Sequence, residues 1–134
     1  MRLNKKEKTM KRQFFIAGVQ FRPRAEINAA VERMQVGDQL HLEPEPTNKF
    51  DPNAVKIIFN VTDNGEDITP LFLGYVPKKF SSEISALLGI DVPVICTVDE
   101  VNSSAKTYEM IKVTVSIPIE EPGSIDDDED LLEG

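Results

Sequence analysis

The chain has 134 residues, of which 40% are hydrophobic and 28% charged, and this composition is typical of one globular domain. It excludes a wholly disordered chain, and no apolar run approaches the roughly 18 residues that a membrane-spanning helix needs, so we expect no membrane partner. One cysteine cannot form an intramolecular disulfide, and one cysteine with one histidine cannot form a structural zinc site. We therefore expect no metal ion, no other cofactor and a reducing, cytoplasmic setting.

The net charge of −8 is unevenly distributed along the chain. All eight charged residues after Ile119 are acidic, and the rest of the chain has 15 acidic and 15 basic residues. Residues 1–12 contain six basic residues and one acidic residue. The sequence therefore predicts a flexible basic arm at 1–12, a folded domain at 13–119 and a disordered acidic tail at 120–134.

The hydrophobic pattern of the middle region predicts a mainly β domain. In chain order it indicates a strand at 13–21, a helix at 24–35, strands at 39–43 and 54–61, a polar loop at 62–70, a strand at 71–76, a helix at 81–88 and strands at 92–101 and 108–119. Ser81 or Ser82 is the expected N-cap of the second helix, and Gly89 is its expected stop. Six short strands at this spacing favour a small barrel with two helices packed on it.

No pattern of an enzyme active site is present in the sequence. There is no Walker A motif and no Gly-x-Gly-x-x-Gly motif. His41 has no obvious nucleophile partner and is expected on the outer face of its strand. Cys96 alternates with Val94 and Val98, which indicates a buried and inert thiol. We therefore predict a protein without catalytic activity.

Two polar segments are the candidates for a binding site. The first is EPTNKFDPNAVKI at 45–57, where Asn48 and Asp51 surround the aromatic Phe50. Asn and Asp at such positions can simply cap a turn, but an apolar ring between a lysine and an aspartate needs another explanation. The second is GYVPKKF at 74–80, where Tyr75 and Lys78 precede the predicted helix; this arrangement suits a phosphate, and a solvated loop is the alternative.

The order of FFIAGVQF, EPTNKFDPNAVKI and LGYVPKK followed by a short helix resembles the HIRAN domain. That domain occurs at the N-termini of certain helicase-like DNA-repair translocases and as free-standing bacterial and phage proteins. The resemblance covers residues 13–118 and implies a six-stranded barrel related to OB and SH3-like barrels, with two helices. It also implies a non-enzymatic module that binds single-stranded DNA at its 3′ end, in a DNA repair, replication or phage context.

Carried over by position, the resemblance implies a DNA-binding pocket formed by Phe14, Phe15, Asn48, Phe50, Asp51, Tyr75, Lys78 and Tyr108. The aromatic rings would stack on bases, Asp51 would accept a hydrogen bond from the 3′-hydroxyl, and Lys78 would bind a phosphate. The chain departs at three positions from the best-understood member of the family, which binds the 3′ end of single-stranded DNA. Phe14 replaces an arginine, and Phe15 and Phe50 replace tyrosines, so a peptide or another nucleic-acid end stays open as the ligand.

A second interpretation belongs to a different class. The chain could be a protein-interaction adaptor that docks a partner through the barrel or through the acidic tail. The acidic composition and the missing arginine at Phe14 favour this alternative. A hydrolase is a third class, for which the sequence offers no catalytic constellation.

Overall fold

The computed structural model describes residues 8–63, 65 and 67–119, which form six strands and two α-helices. The strands are β1 (Lys8–Phe15), β2 (Gln39–Pro44), β3 (Val55–Asp63), β4 (Asp67–Tyr75), β5 (Ile95–Val101) and β6 (Ile111–Ile119). The helices are α1 (Arg24–Arg33) and α2 (Lys78–Gly89), and 3₁₀ turns cover Val19–Phe21 and Thr107–Glu109. Residues 1–7 of the expected basic arm and the whole expected acidic tail lie outside the described residues.

All six strands form one antiparallel sheet in the order β1-β6-β5-β2-β3-β4. The edge strands are β1 and β4, yet Ala17 just after β1 forms an isolated bridge with Tyr75 at the end of β4. The Ala17 amide donates to the Tyr75 carbonyl oxygen at 2.9 Å, and the Tyr75 amide donates back at 2.8 Å. The mainly β class with two helices is confirmed, whereas a closed barrel stays a prediction, because closure needs a continuous ladder between the edges.

Gly74 permits the close approach of these two edges. A Cβ atom at this position would collide with the Ala17 carbonyl oxygen and would lie 2.9 Å from Cγ2 of Ile16. The ladder between β3 and β4 is also irregular here, because Ile57 pairs with Gly74 whereas Ile58 pairs with Phe72. Such a bulge bends a strand locally and increases its twist, which brings the end of β4 toward the segment after β1.

The core is formed by the inward faces of the strands and by one face of each helix. From Ile111 to Ile117 every second residue of β6 is buried, namely Ile111, Val113, Val115 and Ile117. The helices contribute Ile27 and Ala30 from α1 and Ile84 from α2, all fully buried. Each helix therefore packs against the core through the apolar residues on one of its faces. In β6 the buried side chains alternate with more exposed neighbours, as expected for a strand with one face on the core.

The first strand begins and ends earlier than its predicted range of 13–21. Residues 8–12, expected to be part of a flexible arm, pair with β6 from Ile119 to Val115. Arg12 within this segment also donates from Nε and Nη2 to the two carboxylate oxygens of Glu83, both at 2.9 Å. The strand cannot continue to residue 21 because Gly18 has a left-handed backbone with φ of 77° and starts a 3₁₀ turn.

Three other predicted boundaries are wrong because pairing and packing decide them. β4 begins at Asp67, so part of the expected polar loop pairs with β3. α2 begins at Lys78, so Ser81 is a buried residue inside the helix and is not its N-cap. β6 begins at Ile111, so Tyr108 lies in the 3₁₀ turn before the strand.

Reactive side chains outside the polar segments are placed as expected. Cys96 is buried, and this burial raises the pKa of its thiol to about 12, so the thiol is inert. His41 is exposed on β2. Neither described helix has the length and apolar composition needed to cross a bilayer. Within the described ranges, no three histidine, cysteine or acidic side chains come together as metal ligands.

Candidate ligand-binding site

An open cavity of about 300 Å³ lies where four chain segments meet. These are the turn after β1, the loop between β2 and β3, the end of β4 and the first residue of α2. The lining includes five of the eight residues that the sequence predicts, namely Asn48, Phe50, Asp51, Tyr75 and Lys78. The bridge between Ala17 and Tyr75 therefore joins the sheet edges and also forms one wall of the cavity.

The loop between β2 and β3 is organised by Asn48. Its Oδ1 accepts hydrogen bonds from the backbone amides of Phe50 at 2.8 Å and Asp51 at 2.9 Å. Its Nδ2 donates to Oε1 of Glu45 at 2.9 Å. The amide side chain therefore holds the loop in one conformation and presents Phe50 and Asp51 to the cavity. Asn48 thus caps the turn, as its residue type suggests, and it also lines the cavity.

Two exposed phenylalanine rings line the cavity. Phe50 is 87% exposed and Phe21 is 81% exposed, so neither ring is part of the core. Phe21 is not among the predicted site residues, because the apolar run at 13–21 predicts one continuous strand that ends at this residue. The signal available was Gly18, since a glycine that ends the strand would start a turn carrying Phe21. Two apolar rings exposed at one cavity favour a ligand with a flat apolar surface.

Tyr75 forms a hydrogen-bonded wall with Glu45, another residue that the prediction omitted. The Tyr75 hydroxyl donates to Oε1 of Glu45 at 2.7 Å. Burial raises the pKa of Tyr75, and the bond to Glu45 raises it further. The bonds from Asn48 and then Tyr75 lower the pKa of Glu45. Glu45 is therefore an ionised acceptor that orients the Tyr75 ring through its hydroxyl.

Asp51 presents a fixed carboxylate to the cavity. Its Oδ2 accepts a hydrogen bond from the Ser81 hydroxyl at 2.7 Å, and its Oδ1 accepts one from the Asn53 amide at 2.9 Å. The Ser81 bond, the Asn53 bond and the charge of Lys78 lower the pKa of Asp51, in that order of size. The carboxylate is ionised at neutral pH and can accept a further hydrogen bond from a ligand hydroxyl.

Cationic side chains lie at the cavity and beside it. Lys78 is exposed and contributes to the lining. The guanidinium of Arg22, next to Phe21 in the chain, lies 4.0 Å from the ring centroid of Phe72. Nζ of Lys56 lies 5.2 Å from the same centroid. Arg22 is paired with Glu26, and Lys56 is paired with Glu43 and Glu45. Among the lining residues, Lys78 is therefore the cation that a negatively charged ligand in the cavity would meet.

Three predicted site residues do not line the cavity. Phe14 is 7% exposed, and its ring stacks on Phe80 with centroids 5.5 Å apart, so its assignment to the pocket is corrected to the core. Phe15 faces the other side of β1, where Nζ of Lys112 lies 5.5 Å from its ring centroid. Tyr108 is 51% exposed on a 3₁₀ turn that contacts the turn carrying Phe21.

The fold and the site define a small, mainly β domain with an open, aromatic-rimmed cavity at the meeting point of its sheet edges. The chain belongs to the HIRAN domain family, whose model matches residues 11–120. The recognition based on the two polar segments is therefore confirmed.

Two solved structures share this fold at low sequence identity. A structural-genomics protein from Lactobacillus plantarum has a TM-score of 0.62 and 14% identity, and the match covers 86% of this chain and 100% of that one. The HIRAN domain of human HLTF has a TM-score of 0.52 and 11% identity, with 84% of this chain and 77% of that chain covered. No curated protein sequence matches the chain significantly. At these identities the structural similarity supports the fold alone.

Proposed function

We propose that this protein is a non-enzymatic nucleic-acid-binding module that holds the 3′ end of single-stranded DNA in the cavity. The observation that carries the proposal is the exposure of Phe21 and Phe50 beside the ionised Asp51 and the cationic Lys78. Membership of the HIRAN family supports nucleic-acid binding in general. A DNA repair, replication or phage context is the setting that the family resemblance implies.

Each part of a strand terminus has a matching group in this site. Bases present flat faces to the rings of Phe21 and Phe50, and such stacking contributes about 1–3 kcal/mol per base. The Asp51 carboxylate only accepts hydrogen bonds, so it favours a 3′-hydroxyl and repels a 3′-phosphate. Lys78 is a compact charge that neutralises a backbone phosphate. Tyr108, beside the turn of Phe21, is our candidate for contacting the strand as it leaves the cavity.

The described reactive groups support binding without catalysis. A nucleophilic mechanism needs a nucleophile within hydrogen-bond reach of a base. The thiol of Cys96 is buried with a raised pKa, and His41 lies on β2 outside the cavity lining. The cavity instead presents an acceptor, a cation and two rings, which are groups that bind and orient a ligand.

A protein-interaction adaptor is the second candidate. The observation that favours it is the apolar character of the two exposed rings, since a phenylalanine pair also suits the side chains of a peptide. An adaptor would bind a peptide in the cavity and would not distinguish between the ends of an oligonucleotide. The acidic residues after 119, which lie outside the described residues, would be a separate docking segment for a partner protein.

Fluorescence anisotropy with labelled single-stranded oligonucleotides tests the proposal. The strands should be identical except for a 3′-hydroxyl or a 3′-phosphate end, and each should be titrated at low and moderate salt. We expect binding of both strands with a clear preference for the 3′-hydroxyl. Binding without end preference would remove the role of Asp51, and no binding at low salt would favour the adaptor.

A further inference from the structure

Ser81 connects two residues of the candidate site from inside the protein. It is the one buried polar side chain among the described residues, with 1% exposure. Its Oγ lies 2.7 Å from Oδ2 of Asp51 and 3.1 Å from the backbone carbonyl oxygen of Lys78. A serine that only satisfied its own helix would need the carbonyl alone, because serine hydroxyls commonly bond back to the preceding turn.

The hydroxyl of Ser81 has one proton and two possible acceptors. An ionised carboxylate accepts a stronger hydrogen bond than a carbonyl, and the shorter distance is the one to Asp51. The Asn53 amide donates to the other oxygen of the same carboxylate at 2.9 Å. Two donors, one on each oxygen, fix the plane of the carboxylate. Each oxygen still has a lone pair for a ligand hydroxyl.

We propose that Ser81 is a positioning residue, which holds the Asp51 carboxylate in the orientation that accepts a hydroxyl group at the end of the bound strand. This role rests on the function proposed above. Ser81 is too buried to touch the ligand, so it acts only through Asp51. Binding sites depend on such support, because an unsupported side chain samples several rotamers and contacts the ligand in few of them.

The electrostatic surroundings of Asp51 agree with this role. The Ser81 bond is the largest cause of its lowered pKa, followed by the Asn53 amide, and Lys78 of α2 is the charged group that acts on it. Glu45, at the start of the same loop, is already bonded by Asn48 and Tyr75. Removing the Ser81 hydroxyl should therefore raise the pKa of Asp51 and free the rotation of its carboxylate.

The test compares Ser81→Ala with Ser82→Ala, an exposed serine in the same helical turn. The first measurement is a carbon-detected NMR titration of the Asp51 carboxyl in the DNA-free protein. We expect the pKa of Asp51 to rise in Ser81→Ala and to stay unchanged in Ser82→Ala. The second measurement is the ratio of the dissociation constants for 3′-phosphate and 3′-hydroxyl oligonucleotides. That ratio should fall about two- to tenfold in Ser81→Ala, the effect of one hydrogen bond.

Each outcome decides a different step of the inference. An unchanged Asp51 titration would overturn it without any DNA measurement. A shifted titration with an unchanged ratio would show that Ser81 holds the carboxylate but does not position it for the ligand. A variant that is merely less stable would weaken both oligonucleotides equally and leave the ratio unmoved. If wild-type protein binds neither strand, the proposed function fails and the ligand role of Ser81 fails with it.

A second variant covers the case in which Ser81→Ala does not fold. Ser81→Cys has a similar size and offers only a weak S–H donor. It should therefore change both measurements in the same direction as alanine. A thermal melt of each variant establishes that the folded protein is being compared.

Discussion

Ala17 and Tyr75 exchange a pair of backbone hydrogen bonds, and this bridge places the turn that carries Phe21 beside the loop that carries Phe50. The two rings are 29 positions apart in the chain and line the same cavity. The bridge has a structural role, because it connects the ends of the two edge strands, β1 and β4. It also forms part of the candidate site, because Ala17 and Tyr75 both line the cavity.

Gly74→Ala should destabilise the protein, because the new methyl group would collide with the Ala17 carbonyl oxygen. We expect a loss of about 1–3 kcal/mol in the free energy of unfolding, as for other overpacked sites. Urea unfolding measures this change. Gly89→Ala is the matched control, since a Cβ there meets nothing within 4 Å, and it should be neutral or slightly stabilising. Equal free energies of unfolding for the two variants would mean that β4 can move away from Ala17 without loss of stability.

Phe21→Ala and Phe50→Ala should each weaken binding of single-stranded DNA by about 1–3 kcal/mol, the contribution of one stacked base. Both side chains are highly exposed, so thermal stability should hardly change. Anisotropy titrations check the affinity. Ile68→Ala removes an apolar side chain that is 63% exposed and outside the cavity lining, and it should leave the affinity unchanged. Wild-type affinity in both phenylalanine variants would remove the cavity from the proposal.

Phe14→Ala tests the correction of a predicted site residue to the core. Because the ring is buried and stacked on Phe80, its removal should lower the free energy of unfolding by about 3–5 kcal/mol. Phe15→Ala, at the neighbouring and partly exposed position, should lower the free energy of unfolding by clearly less than Phe14→Ala. Chemical denaturation of both variants measures the difference. If Phe14→Ala is stable and loses DNA affinity, the original assignment of Phe14 to the site was correct.

Stability should fall at acidic pH because of Asp51 and Glu45. Hydrogen bonds from Ser81 and from Asn48, respectively, are the largest causes of their lowered pKa values in the folded state. A carboxyl group with a lowered folded pKa stabilises the protein above its ordinary pKa of about 4, and this contribution disappears as pH falls through the folded value. The difference in urea midpoint between wild type and Asp51→Asn should therefore shrink from pH 7 toward pH 2. A difference in midpoint that stays constant from pH 7 to pH 2 would contradict the role of the Asp51 carboxylate in stability.

The salt dependence of DNA binding should be shallow, because few cations face the cavity. Single-strand binding has a slope of about −0.7 for each neutralised phosphate, so two or three contacts predict a slope of roughly −1.4 to −2.1. Lys78→Ala should make the slope less negative by about 0.7, since it removes one contact. Anisotropy at several salt concentrations measures both slopes. A slope near −5 would indicate a basic surface beyond the cations described here.

The amino-acid pattern was enough to predict a mainly β fold with two helices and to name five residues that line the cavity. Alternation of apolar residues predicted a mainly β domain, and helical spacing predicted the two helices that pack on its sheet. The loop motif and the strand exit placed Asn48, Phe50 and Asp51 with Tyr75 and Lys78, and all five line one cavity. These predictions rest on local patterns, because periodicity and turn chemistry act over a few neighbouring residues.

Long-range packing determines which phenylalanine rings face the cavity and which groups hold the Asp51 carboxylate. Neighbouring strand residues point to opposite faces, so Phe14 is buried in the core whereas Phe15 is on the other side of β1. The left-handed Gly18 starts the turn after β1, and Phe21 is exposed at the end of this turn. The hydrogen bond from Ser81 to Asp51 spans 30 positions, and no local pattern reports it. It exists because α2 lies beside the loop between β2 and β3 in the folded domain. Contacts of this kind depend on how distant segments pack together, which local sequence patterns do not encode.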